Sequence, residues 1–188
     1  MRVIAGSARS IPLKTLEGLD TRPTQDRIKE TLFNILQSDI PGCRFLDLFA
    51  GSGAIGIEAA SRGAGNVVFM EQNLKAADII RQNLRSTRLE DQAALYTGDL
   101  FVLLPGLASK EDVFDIIFMD PPYEHEYEKQ VLTLLKDSPL ADEYTLIIVE
   151  ASLRTQMDYL SELGYELLRV KKYKTNQHFF IRKQAKES

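Results

Sequence analysis

The sequence predicts an α/β fold, a mostly parallel sheet with helices on both faces. Three observations lead there. Short apolar runs of strand length alternate with longer segments whose apolar residues recur every three or four positions. The stretch from Phe45 to Gly56 begins apolar, turns glycine-rich and then takes up helical spacing at Ile55, Ile57, Ala59 and Ala60. A buried strand feeding a helix through a tight loop reads this way. Finally, Asp47, Glu71, Asp99 and Asp120 all fall at predicted strand ends, the edge where such sheets bind ligands.

At 188 residues one domain is expected, with a hairpin-and-helix extension over 1–42 and a catalytic core over 43–188. No apolar run has the length of a membrane span, and the N-terminus lacks a signal peptide's apolar core. The lone Cys43 excludes an internal disulfide, and with only His125 and His178 beside it no metal site is expected. These readings lead to a cytoplasmic protein, acting as a monomer without a membrane partner. The net charge of −4 conceals an asymmetry. Residues 1–29 carry six Lys/Arg against three Asp/Glu, residues 165–188 seven against two, and the stretch between them ten against twenty-two. Two basic ends around an acidic middle suit either a phosphate-attracting face or solubilising charge at the termini.

Taken in order, Met1 to Ile4 and Ile11 to Lys14 read as a small hairpin around Gly6–Ser10, with Arg9 at its tip. Glu17 to Arg22 reads as a loop. Pro23-Thr24 opens a helix, with Thr24 as its N-cap, Asp26 in the first turn and Ile28, Leu32, Ile35 and Leu36 on one face. Pro41-Gly42 closes this unit. Strands follow at Arg44–Phe49, Asn66–Met70, Ala93–Tyr96, Phe114–Met119 and Thr145–Val149. Helices are expected at Ala54–Arg62, Leu74–Leu89, from Tyr127 through Leu135, and at Thr155–Leu163, with a short helix or turn at Leu100–Leu107. Tyr165–Tyr173 and His178–Ile181 form a closing antiparallel pair.

The strand ends carry the chemistry. Gly51, Gly53 and Gly56 match the spacing of dinucleotide-binding loops, which an ordinary tight strand–helix turn also uses. Asp47 separates the readings. A carboxylate there repels a pyrophosphate but suits the ammonium of an amino-acid-like ligand such as S-adenosylmethionine. Glu71, twenty residues after Gly51, suits the hydroxyls of a ribose. Asp99 suits an adenine amino group, with the Leu100 N–H on a ring nitrogen, although an Asx turn would also place an Asp there. Asp120-Pro121-Pro122-Tyr123 is the most informative group. The prolines fix the backbone and remove two donors, leaving a carboxylate and carbonyls to grip a planar NH2 group, with Tyr123 as a stacking face.

Asp47 to Gly53 together with Asp120 to Tyr123 resembles the class I S-adenosylmethionine-dependent methyltransferases that act on amino nitrogen. Arg2-Val-Ile-Ala-Gly6, Arg22-Pro-Thr-Gln-Asp-Arg27 and Phe33-Asn-Ile-Leu36 narrow the resemblance to the bacterial 16S ribosomal RNA guanine-N2 methyltransferases of the RsmD type. It spans essentially the whole chain. It implies a Rossmann-like, seven-stranded sheet whose last hairpin reverses one strand. It also implies methylation of one guanine N2 in 16S rRNA, within a small ribosomal subunit assembly intermediate. By that resemblance Asp47, Gly51 and Gly53 hold the methionine part of the cofactor, with Phe49 and Ala50 in the same loop. Glu71, beside Gln72, takes the ribose, and Asp99 with Leu100 the adenine. Asp120, Pro121, Pro122 and Tyr123 receive the guanine. Arg9, Arg22, Arg27, Lys172 and Lys174 are the residues offered to RNA phosphate.

Other readings share parts of this pattern. DNA adenine-N6 methyltransferases carry the tetrad but use more chain for target recognition, and protein glutamine methyltransferases favour Asn at the position of Asp120. An NAD-dependent oxidoreductase would share the glycine spacing and Glu71, but not Asp47 or the Pro-Pro-Tyr segment. A non-catalytic RNA-binding module would bind RNA without cofactor affinity.

Overall fold

The structure, a computed structural model, describes residues 1–16, 23–122 and 126–185. Its seven strands lie in the order β3-β2-β1-β4-β5-β7-β6, and five helices accompany them. The chain forms two compact units, Met1–Leu100 and Phe101–Ser188.

The first unit opens with the expected hairpin, closed by one bridge between Arg2 and Pro12. Helix α1 spans Pro23–Ile35. It starts two residues earlier than Thr24 as N-cap requires, because proline suits a first helical turn, where no N–H partner is needed. Then follow β1 (Arg44–Leu48), α2 (Ala54–Ser61), β2 (Asn66–Glu71), α3 (Leu74–Thr87) and β3 (Ala93–Thr97). β1, β2 and β3 pair in parallel. β1 and β2 are buried along most of their length, which explains their unbroken apolar runs. β1 stops at Leu48, one residue short of expectation, because Phe49 turns to φ 60°. α3 stops at Thr87 because Arg88 takes φ 58°.

Helix α4 (Leu100–Leu107) begins at the boundary of the two units. The second unit continues with β4 (Ile116–Met119), α5 (Tyr127–Lys136), β5 (Leu146–Ser152), β6 (Tyr165–Lys172) and β7 (Asn176–Lys183). β4 and β5 are parallel; β7 runs antiparallel to both β5 and β6, which supplies the reversed strand. β6 lies at the end of the strand order. Arg169, Lys171 and Lys172 line it, charges that discourage edge-to-edge pairing.

The helix expected at Thr155–Leu163 is absent. The segment forms separate turns, with Leu160 N bonded to Met157 O, Leu163 N to Tyr159 O and Gly164 N to Ser161 O. In a helix the Thr155 carbonyl would accept from Tyr159. Here Gln177 Nε2 donates to it at 3.1 Å, and to Ser152 O at 2.8 Å, so a side chain from β7 replaces the helical ladder.

A buried ion cluster ties the hairpin to the helices of the first unit. Glu58 on α2 is fully buried. Its carboxylate accepts from Ile4 N at 2.8 Å, Ala5 N at 3.0 Å and Arg62 Nε at 2.8 Å, and lies 3.2 Å from Lys29 Nζ on α1. Lys29 Nζ also donates to Arg2 O at 2.6 Å. Ser61 adds a second clasp, accepting from Ala8 N and donating to Ala5 O.

Candidate functional site

In the first unit, β1 carries Asp47 toward its carboxyl end and β2 ends at Glu71. Asp47 is only 2% exposed, and its Oδ2 accepts the Gly56 N–H at 2.9 Å. Burial, and secondarily the Glu71 charge, push its carboxyl up to about 7, against the pull of the Gly56 hydrogen bond. Between Asp47 and α2 the chain turns through Phe49 (φ 60°), Gly51 (φ 57°) and Gly53 (φ 76°). For Phe49, a non-glycine residue, that conformation costs roughly 1–2 kcal/mol, strain of the kind found where a loop must hold a special shape. Ala50 N donates to Met70 O at 3.0 Å, so the loop is bonded to β2 at its base. A Cβ on Gly56 would stand 2.3 Å from Phe69 Cε1; α2 therefore approaches β2 as closely as glycine alone allows.

Glu71 is tied at both oxygens. Oε2 accepts from Gly51 N at 2.7 Å and Oε1 from Asn73 N at 2.8 Å. Asn73 in turn caps α3, its Oδ1 accepting from Lys75 N and Ala76 N. One hydrogen-bonded line thus runs from the glycine loop through Glu71 to the start of α3. Gln72 beside it is exposed. Asp99 is exposed, and Leu100, the first residue of α4, is buried.

Sequence reasoning missed Asn83. It is buried on α3, and its Nδ2 donates to Ser52 O at 2.9 Å and to Lys14 O at 3.0 Å, while its Oδ1 accepts from Lys14 N at 2.8 Å. One amide holds the glycine loop and the N-terminal segment together. The available signal was an amide on the helix face that carries Ile80, Leu84 and Thr87.

In the second unit β4 is buried throughout and ends at Met119. Asp120 follows, exposed, then Pro121, buried, and Pro122, exposed. Tyr123, expected as the stacking face, lies outside the described residues, as does Arg22. Of the residues offered to phosphate, Arg9 and Arg27 are exposed in the first unit, and Lys172 and Lys174 in the second. Among the described residues no group of three His, Cys, Asp or Glu could hold a metal ion. No helix among them is long and apolar enough to cross a membrane.

A family model described as "Conserved hypothetical protein 95" matches residues 1–182. Ribosomal RNA small subunit methyltransferase D of Haemophilus influenzae is 36% identical over 152 residues, 80% of this chain and 78% of that protein. The chain belongs to this RsmD-type methyltransferase family. A Bacillus subtilis relative, described as a candidate rRNA methyltransferase, is 41% identical over 80% of this chain and 82% of its own length. A solved Escherichia coli structure, described as a candidate methyltransferase, superposes with a TM-score of 0.82 at 29% identity, covering 99% of each chain. The chain is thus an enzyme of the methyltransferase class with the Rossmann-like fold of that class.

Proposed function

We propose that this methyltransferase carries a methyl group from S-adenosylmethionine to the exocyclic N2 amine of a guanine in 16S rRNA, presented in a partly assembled small ribosomal subunit. The observation that carries this reading is the pairing of relatives named for small-subunit rRNA methylation with Asp120-Pro121-Pro122 at the end of β4. We take residues 1–188 as one catalytic domain acting as a monomer in the cytoplasm.

The residues of the first unit fit the cofactor. A buried carboxylate pushed up to about 7 gains most from a nearby cation, and the cofactor's ammonium is one. A side chain at Gly51 would meet no atom within 4 Å, so the loop backbone is open on that side. Glu71 is already oriented by Gly51 and Asn73 and can accept from ribose hydroxyls with its remaining lone pairs. Phe49, Ala50 and Gly53 complete the methionine end, Gln72 flanks the ribose, and Asp99 and Leu100 take the adenine. The bound cofactor supplies an electrophilic methyl group on a sulfonium. Asp120 accepts a hydrogen of the target amine and turns its lone pair toward that methyl. Tyr123 stacks on the base. Arg9, Arg22, Arg27, Lys172 and Lys174 attract phosphate.

The test is a labelled methyl-transfer assay offering unmodified small subunits, naked 16S rRNA, DNA and a protein mixture, with the product nucleoside identified by mass spectrometry. N2-methylguanosine from the ribosomal substrates is expected. Label in DNA or protein instead would overturn the substrate assignment.

Two binding predictions belong to the same site. Glu71→Ala removes both the ribose acceptor and the anchor of the Gly51 N–H. Calorimetry should show cofactor affinity reduced about tenfold or more, the scale of a lost charge-assisted hydrogen bond, with RNA affinity unchanged. Asp47 sets a pH dependence. Its ionised form is the one that attracts the ammonium, so affinity should fall by about tenfold per pH unit below 7 and level off above it. Because its folded pKa is raised, the group's charging disfavours the fold as pH rises from 3.8 through 7. Asp47→Asn should therefore raise the melting temperature of the cofactor-free protein at pH 8 but not at pH 4, while abolishing the pH dependence of binding. A cofactor affinity flat between pH 5.5 and 7.5 in the wild type would rule this out.

A further inference from the structure

A buried hydrogen-bonded chain in the second unit lies beyond the roles assigned above. His178 on β7 is fully buried. Its Nε2 stands 3.0 Å from Glu150 Oε2 and its Nδ1 3.1 Å from the Tyr173 hydroxyl. Asn176 Nδ2 donates to the other oxygen, Glu150 Oε1. Strand register brings these groups together, since Glu150 on β5 pairs with His178 on β7. Phe118, Tyr173 and Phe180 set their rings edgewise around the imidazole, with centroids 6.1, 4.9 and 6.4 Å away.

An imidazole in such a box is costly unless both nitrogens are bonded, and here both are. The direction of both bonds is set by the imidazole tautomer. Burial, and secondarily the Glu150 charge, push the Tyr173 hydroxyl up to about 12, against the opposing charge of Arg169. Tyr173 thus keeps its proton at neutral pH and can donate it to Nδ1. In the tautomer protonated at Nε2, Nδ1 accepts from Tyr173 and Nε2 donates to Glu150. With Asn176 donating to Oε1, both Glu150 oxygens then accept a hydrogen bond.

The position of Glu150 gives this a use. The β4–β5 register ends with Met119 opposite Val149. Next after that pair come Asp120, which follows the end of β4, and Glu150, which lies within β5 two residues before its end at Ser152. The Glu150 side chain is 18% exposed.

We propose that Glu150 is a second carboxylate of the methyl-transfer site, taking the proton that the newly methylated amine releases, with His178 and Tyr173 as positioning residues that hold its side chain in place. This rests on the reading that the acceptor is an amino nitrogen. The nitrogen lone pair forms the N–C bond as the C–S bond of the sulfonium donor breaks, and those electrons stay on sulfur as a thioether. The nitrogen is left cationic. One N–H bond then breaks, its electron pair returns to nitrogen, and the proton forms an O–H bond on Glu150. From its exposed edge Glu150 passes the proton to water. The titratable and charged groups around the chain are Glu150 on β5, Tyr173 and Arg169, Lys171 opposite His178 on β6, and Asp120 after β4.

Two measurements on the full chain test this. Imidazole nitrogen NMR of the cofactor-free protein at pH 7.5 should show His178 neutral and protonated at Nε2; protonation at Nδ1 alone would overturn the proposal. In steady-state assays Glu150→Gln should lower kcat about tenfold or more and remove the acid limb of its pH profile, with the KM for the sulfonium donor near wild type. Tyr173→Phe loses one oxygen and keeps the ring, so it guards against a folding defect; its acid limb should move while its melting temperature stays close to wild type. Wild-type kcat and pH profile in both variants would overturn the proposal alone. A wild-type enzyme that methylates an acceptor other than nitrogen would overturn the reading beneath it.

Discussion

Glu58→Gln is expected to lower the melting temperature by roughly 10 °C, the largest stability loss from a single substitution at this network. The wild-type carboxylate is fully buried and serves four donors, Ile4 N, Ala5 N, Arg62 Nε and Lys29 Nζ. The amide cannot carry the charge, and its NH2 would face donors. Lys29, itself buried, would lose its counter-charge, and breaking one side of a buried pair costs about 3–5 kcal/mol. Burial already lowers the Lys29 pKa below 10.5, and Glu58 is the main influence opposing that fall. Without Glu58 the ammonium would be depressed further. A Lys with a folded pKa below its unfolded value gains stability as pH rises, because the unfolded chain then holds more protons. The deficit of Glu58→Gln should therefore shrink between pH 7 and pH 9.5. Thermal unfolding across that range measures both effects, and a melting temperature within 2 °C of wild type at pH 7 would dismiss the cluster as an anchor. Glu58→Gln combined with Lys29→Met should be less damaging than Glu58→Gln alone, since the Lys29 charge is then no longer buried without its partner.

That cluster was not legible in the sequence, and the reason is distance along the chain. Ile4 and Glu58 are 54 residues apart, and neither helical nor strand periodicity says which buried face a distant backbone N–H will meet. The same holds for Asn83, whose partners at Lys14 and Ser52 are 69 and 31 residues away. What sequence does record is local. The apolar run from Phe45 to Leu48, the loop from Phe49 to Gly53 and the acid at Glu71 follow from neighbouring residues and strand length, and they stand where expected. The miss at Thr155–Leu163 has the opposite cause. Its apolar spacing is helical, but Gln177, from a strand outside the segment, bonds the carbonyl that the first turn needed. His178 and Glu150 fall between these cases. Sequence places His178 in a strand and Glu150 at the end of another, and only the β5–β7 register makes them one group.

Asp120→Ala is expected to reduce kcat by about 100-fold to 1,000-fold, the range found when a group aimed at the reacting centre is removed. The argument starts from what β4 supplies. Four buried residues, Ile116–Met119, fix the direction of the chain, and the two prolines after Asp120 fix its continuation. Asp120 is exposed on that rigid exit, a poor place for a carboxylate whose only task is to stabilise the fold. Its truncation should therefore leave the melting temperature within about 2 °C of wild type, as exposed substitutions usually do. The cofactor contacts proposed above lie at Asp47, Glu71 and the glycine loop, so cofactor affinity by calorimetry should change less than threefold. The loss should appear in kcat more than in KM, since an acceptor that turns the amine lone pair toward the methyl acts most strongly in the transition state. Asp120→Asn separates orientation from charge. Its amide oxygen still accepts a hydrogen bond, so a loss of about tenfold would assign most of the effect to orienting the amine, whereas a loss equal to that of alanine would assign it to the negative charge. Near-wild-type turnover in Asp120→Ala, with cofactor binding intact, would remove this residue from the reaction altogether.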